Sequence, residues 1–463
     1  MQFVTRAMFV LGGVPLSGLY AGCGDNGGRD PSFLTMDCSK VTSGSCIEVK
    51  GGDSEALQNA ANSISANTTI VLGAGTFAMT NQLTLRSDGM HLIGQGIDTT
   101  TLDFGTATTQ VNGVDSIGKD FLIQDLTVRD APKDAIRVEQ SDGVVFRRIR
   151  STWTTASSMS NGAYGIYPVK SQHVLVEDSR AENASDAGLY VGQCQHVIVR
   201  NNTVTGNVAG LEIENTQYAD VYGNTAEDNT GGIVVFDLPG NPIVGRDVRL
   251  RDNTIRNNNH VNFASGGTVA AIPVGTGTFA MASRRVEITG NTYANNHTGD
   301  IALISGLTIE PDATKWVLPT AMLTGTYTDL GLMSAGDDAV MNFRGENIVV
   351  ANNMHSGSGT MPDPGDPNNP LTLPLGELFV VYYQGSPVDN VLYDAIGEAK
   401  EAEPPTNVNH MCIGGNTHGT FASLYLAEQS ETSLVPFYRP PAPFAPYDCT
   451  ALDGGPVAEV VLP

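Results

Sequence analysis

Seven polar side chains recur at matching positions in a run of near-identical segments: Arg137, Tyr167, Lys170, Tyr190, Glu212, Glu214 and Asp237. Together they hold the ingredients for removing a proton beside a uronate carboxylate. That reaction needs a base, an acid and a group that neutralises the carboxylate. Lys170 or Tyr167 is the candidate base and Tyr190 the candidate acid. Arg137 is the candidate neutraliser, with a Ca2+ ion held by Glu212, Glu214 and Asp237 as the alternative. Without any reaction, the same set binds. Tyr167 and Tyr190 offer flat faces to sugar rings, and Glu139, Gln193 and Asn215 offer directional hydrogen bonds beside them. The plainest reading is a solvated sheet face on which Arg137 and Lys170 pair with neighbouring glutamates.

The segments that carry these residues repeat. Residues 163–185, 186–208 and 209–230 are near-copies of 23, 23 and 22 residues, and a fourth begins at Gly231. A constant period of this length marks a stacked solenoid. Ile136, Ile166, Leu189, Leu211 and Ile233 fall in one column, and Val138, Pro168, Val191, Ile213 and Val235 in another. Side chains alternate along a strand, so both columns point inward. The residues between them then point outward, as one strip roughly 15 Å long at strand spacing. Pro168 lacks a ladder donor and predicts a local bulge or widened coil. Polar ladders follow at the turns: Asp178, Asn202, Asn224, Asn253 and Asn291, then Asn183, Asn207, Asn229, Asn258 and Asn296. Stacked amides bond along such an axis.

Around this centre the chain divides into residues 1–23 as an export signal, 24–50 as a tether with a short disulfide loop, 51–356 as the solenoid and 357–463 as a loop-rich wrap. Ser54–Ile64 has apolar residues at helical spacing, with Ser54 as N-cap, and predicts a cap over the first coil. Two excursions lengthen the period, around Pro239–Arg246 and Val261–Ala282, and predict loops walling a groove. Cys38 pairs naturally with Cys46 and Cys412 with Cys449 in an oxidising compartment. Cys194 reads as a small buried hydrophobe, and His173 and His196 as a short stacked ladder.

The formal net charge is −24. Nucleic acid is excluded as a partner on that ground, because phosphate neutralisation needs a basic surface. The apolar run after Arg6 ends in Leu19-Tyr20-Ala21-Gly22-Cys23, which predicts lipidation at Cys23 and attachment to a membrane through that anchor alone.

The copies Gly188–Asn207 and Gly210–Asn229 resemble right-handed parallel β-helix repeats of the pectate-lyase and nitrous-oxide-accessory type. The combination YGIYPVKSQHV, DAGLYVGQ, NVAGLEIENT and NTGGIVVFDLPG is similar to one family of exported β-helix proteins. That resemblance implies an exported c-type cytochrome-like partner and supplies no catalytic residues. Tyr164-Gly165-Ile166-Tyr167-Pro168-Val169 resembles the Tyr-Gly-x-Asp-Pro-His motif of alginate-type C5-epimerases. Tyr167 stands in place of its aspartate and Val169 in place of its histidine.

The expectation is therefore an all-β, right-handed parallel β-helix with an N-terminal helical cap. It is read as an exported, envelope-anchored protein that binds a polysaccharide or an envelope protein on its Tyr/Glu face. A polysaccharide lyase or epimerase-like enzyme and a structural spacer are the competing readings.

Overall fold

Short apolar–polar alternations separated by residues that accept left-handed backbone angles can close a chain into flat coils. The computed structural model describes residues 36–365, 373–398, 405–429 and 435–463, and Cys23 and the export segment lie outside them. Each regular coil supplies three strands, exemplified by Tyr164–Val169, Gln172–Glu177 and Arg180–Glu182. We call the three stacks of equivalent strands the first, second and third face. All three are parallel ladders, and a small antiparallel sheet, Val317–Pro319, Met333–Ser334 and Ala339–Met341, lies outside them.

The inward columns are as expected. Ile166 sits between Ile136 and Leu189, which leads on to Leu211 and Ile233. All five are fully buried in one continuous core. Pro168 causes no bulge: Tyr164–Val169 keeps one register against Ala187–Gly192 from end to end. The missing donor removes a bond without displacing the strand.

Corners are turned by non-glycine residues with positive φ. Gln140, Lys170, Gln193 and Asn215 occupy one such corner column between the first and second faces. The amide ladders are real, but their heads are shifted by one residue. Ser179 N–H, not Asp178, donates to Asn202 at 3.0 Å, and Ala184 N–H, not Asn183, donates to Asn207 at 2.9 Å. Asp178 and Asn183 belong to the adjacent left-handed columns instead. The first ladder runs Asn202, Asn224, Asn253, Asn291, Asn353 and Asn416, each carboxamide donating to the next at 3.0 to 3.1 Å.

The cap helix spans Ser54–Asn62, and its N-cap is Asp53, whose Oδ1 accepts from Ala56 N–H at 2.9 Å. Its Leu57, Ala60 and Ala61 close the first coil. The solenoid exceeds its expected limits at both ends. Ser45–Val49 already pairs with Thr68–Leu72, and Met411–Gly414 and Phe421–Ser423 extend the second and first faces well past residue 356. Val435, Phe444 and Tyr447 seal the other end of the core. Disulfides join Cys38 to Cys46 and Cys412 to Cys449, as an oxidising compartment allows, and Cys194 is a buried free thiol. Among the described residues no helix is long and apolar enough to cross a membrane.

Candidate functional site

The outward strip of the first face divides into an open half and a roofed half. Register holds as expected: Arg137 pairs with Tyr167, Tyr190 with Glu212, and Glu212 with Val234. From Tyr190 onward, however, the strip is covered. Tyr190, Glu212, Val234, Phe236 and Asp237 are all 5% exposed or less. Phe263, Val269 and Ile272 from one insertion, and Trp316 and Phe343 from another, pack on this face as a second apolar cluster. An outward position is not a solvent position once a long insertion folds back over it.

Roofing changes the roles of several expected site residues. Asp237 accepts from Asn342 Nδ2 at 2.6 Å and from Gly245 N–H at 2.8 Å, anchoring two loops. Asn215 donates to Ile243 O at 2.8 Å and accepts from Leu238 N–H and Asn241 Nδ2, both at 2.8 Å, so it ties down the loop after Phe236. Glu214 accepts from Tyr190 Oη and, at 2.7 Å, from Asn241 Nδ2, and Gln193 also hydrogen-bonds to it. The structure does not assemble Glu212, Glu214 and Asp237 as the expected Ca2+ ligands: among the described residues no three acidic, histidine or cysteine side chains are placed to hold a metal ion. Glu212 Oε2 and Asp134 Oδ1 are buried without a hydrogen-bond partner.

The open half lies on the earlier coils. Asp115 accepts from Arg86 at 3.0 Å and from Arg137 at 2.9 Å. Burial works against its charge, but the two guanidinium groups hold Asp115 below the usual carboxylate range. Glu139 lies 3.5 Å from Arg137 and 3.6 Å from Lys170, whose side chain is half exposed. Tyr167 is packed against Tyr164 and Tyr190, with ring centroids 4.7 and 4.8 Å away, and Tyr164 lies 4.5 Å from Tyr190. Tyr164 and Tyr167 stay half-buried at the edge of the roof.

Three members of this cluster were missed by sequence reasoning: Tyr164, Asp134 and Asp186. Asp134 and Tyr164 each lie three residues before Arg137 and Tyr167, so the period that aligned the latter pair aligns them too. Asp186 occupies the turn before Ala187 and hydrogen-bonds with Tyr164. Burial, then the mutual charges of Asp186, Glu212 and Glu214, push Asp186 and Glu212 above the carboxylate range. Burial raises Asp134 to about 6, although Lys133 and Arg137 oppose it. The phenols of Tyr164, Tyr167 and Tyr190 are all raised, first by burial and then by these acids. Tyr167 is therefore held as a phenol, contrary to its expected role as a base. Tyr190 can donate, but its proton is directed at Glu214 under the roof, away from any substrate on the open half.

The model of the family described as right handed beta helix region matches residues 109–312. Among solved structures, the mannuronan C-5 epimerase AlgE4 A-module of Azotobacter vinelandii is 15% identical, with 81% of this chain and 93% of that chain covered at a TM-score of 0.47. The catalytic unit of the GH87 alpha-1,3-glucanase of Streptomyces thermodiastaticus strain HF3-3 is 12% identical, covering 81% and 54% at 0.43. The alginate lyase of Paenibacillus sp. str. FPU-7 is 12% identical, covering 56% and 90% at 0.30. No curated protein matches this chain.

Proposed function

We propose that the protein is an exported, lipid-anchored β-helix that binds a uronate-containing polysaccharide on the open half of its first face. The observation that carries this reading is the pairing of a tyrosine cluster with a local excess of positive charge. Tyr164, Tyr167 and Tyr190 meet within 4.5 to 4.8 Å, and the first two remain accessible for a sugar ring to rest on. Beside them stand Arg86, Arg137 and Lys170, against Asp115 and Glu139. Burial pushes Asp134 up to about 6 and Asp186 up to about 7, so below about pH 6 they cancel little of that charge, and more of it as pH rises through 7. In mildly acidic solution a chain of net charge −24 thereby keeps one patch on which a polyanion is not repelled. Titrating polygalacturonate and alginate oligomers against the protein tests this. Binding should be lost in Tyr164→Ala/Tyr167→Ala, and unchanged binding in that variant would overturn the reading. Capture of an envelope protein, such as a c-type cytochrome-like protein, on the same face with no glycan bound would replace it.

One observation favours a second reading, an elimination or epimerisation on the same glycan. Asp186 is half-buried, raised out of the carboxylate range and hydrogen-bonded to Tyr164, which is how an enzyme poises a base and an acid. In that reading Asp186, not Lys170 or Tyr167, takes the proton beside the carboxylate, and Tyr164 protonates the departing oxygen. Elimination would create an unsaturated product visible by ultraviolet absorbance. Its absence on both polymers, with no change in uronate configuration, would leave binding alone.

A further inference from the structure

A second trench lies on the other side of the coil. On the second face, the left-handed positions His196, Tyr218, Asp247, Arg285 and Asn347 stack in register. Residues 325–331 run along one side of this row. Thr326 exchanges backbone bonds with the Gln217 side chain at 3.0 and 2.9 Å, Asp329 pairs with Arg246, and Leu330 O accepts from Arg284 Nη1 at 3.4 Å. The C-terminal segment runs along the other side. Arg285 donates to Asp453 O at 2.9 Å, and Val457 and Val460 donate to Glu287 and Asp220 at 3.1 and 3.0 Å. Between these walls opens a pocket of about 500 Å³ in which, among the described residues, Leu330 supplies the only apolar side chain.

Charge in this pocket sorts by depth. The side chains of Arg284 and Arg246 are 2% and 6% exposed, whereas those of Asp329 and Asp453 at the rim are 62% and 67% exposed. Water and salt screen the rim acids strongly and the floor arginines weakly. The sheltered acids are Asp247, shared by Arg246 and Arg285, and Glu346, which pairs with Arg284. Three guanidinium groups thus face these two sheltered carboxylates, with the buried Asp237 carboxyl, raised to about 7, also acting on Arg284. Arg284 Nε is buried with no hydrogen-bond partner, an unmet donor in the trench floor.

We propose that this trench binds a small monoanionic, hydroxyl-rich ligand of the sugar-acid class. Its carboxylate lies over Arg284 and Arg285, and its hydroxyls bond to Asn347, Glu346 and Asp453. A lining of charged and amide groups with a single leucine suits a polyol acid and suits a lipid or an aromatic ligand poorly. The site stands apart from the tyrosine face and does not depend on it.

Calorimetric titration of the full chain with D-glucuronate, D-glucose and sulfate tests the proposal. Glucuronate should bind, and glucose and sulfate should each bind about tenfold more weakly or worse, since each lacks one half of the recognition. Measured in a Tyr164→Ala/Tyr167→Ala background, where the tyrosine face contributes no uronate binding, Arg284→Gln and Arg285→Gln should each weaken glucuronate about tenfold or more. Arg285 is less buried than Arg284, and Asn347 sits at the trench surface, so Arg285→Gln and Asn347→Ala serve if Arg284→Gln does not fold. Three outcomes would overturn the proposal: no glucuronate binding, sulfate binding as tightly as glucuronate, or glucuronate binding that survives both Arg285→Gln and Asn347→Ala.

Discussion

Tyr190 donates its phenol proton to Glu214 one coil further on, and its ring reaches there by lying along the strand over Gly192. A Cβ at position 192 would stand 2.3 Å from the ring's Cε1. The absence of a side chain there is what lets a buried carboxylate meet a buried phenol.

Gly192→Ala should therefore displace the ring and cost about 1–3 kcal/mol of stability, as overpacking in a filled interior does. Tyr190→Phe keeps the ring and removes only the donor, and should cost a similar amount by leaving Glu214 short of a partner. Urea denaturation of both variants checks this, and wild-type stability in either would show that the contact carries no weight.

Stability should fall as pH rises from about 4 to about 7. Burial raises Asp237 from its ordinary 3.8 to about 7, against the bonds from Asn342 and Gly245, and raises Asp134 to about 6. In that window the folded chain holds more protons than the unfolded one, so each step upward favours unfolding. Asp115 and Glu177, held below their ordinary values by arginines, act in the opposite sense and lose their contribution only as pH falls below about 4. Denaturation midpoints should peak near pH 4–5, and Asp237→Asn should flatten the decline toward neutrality.

The amide ladder should be far more sensitive than its exposed neighbours. Asn229→Ala removes bonds to Asn258 and Val204, leaves the N–H of Asn207 without an acceptor and leaves Asn207 Nδ2 with Ala181 O alone. It should cost about 2–5 kcal/mol. Asn257, exposed at φ 52°, should cost about 1 kcal/mol or less on the same change. Equal losses in thermal unfolding would contradict the ladder's role.

If the tyrosine face is catalytic, Asp186→Asn should lower turnover by about two to four orders of magnitude, with polyuronate binding kept within a few-fold. Lys170→Met should reduce binding and leave any turnover of bound glycan unchanged, because Lys170 sits at the corner beside Glu139. Progress curves on saturating substrate separate the two effects.

The coil architecture was legible because a solenoid repeats its local environment: Ile136, Ile166 and Leu189 face one core and so align by type. The amide ladder was legible except at its head, where a 23-residue step carries Ser179, not Asp178, onto Asn202. The roof was not read, because insertions such as 261–275 and 305–343 have no period to align. A trace of it was present. Val234 and Phe236 stand in outward columns, and apolar residues there require a cover. Asp186 and Asp134 escaped notice because they precede their strands, where the sequence shows only a turn.

The ladder also has a direction. Every carboxamide from Asn202 to Asn353 gives one proton to the next amide oxygen in the later coil and its other to a backbone carbonyl of an earlier coil. Spontaneous deamidation of Asn253 would leave an oxygen able to go on accepting from Asn224, but facing the Asn291 Oδ1 and Val221 O it once served. Such chemical ageing would wound the molecule asymmetrically. On the early side Val221 O would lose its donor while Asn224 kept its acceptor; on the late side the amide link to Asn291 would go, leaving the Asn253 N–H bond alone to hold that seam.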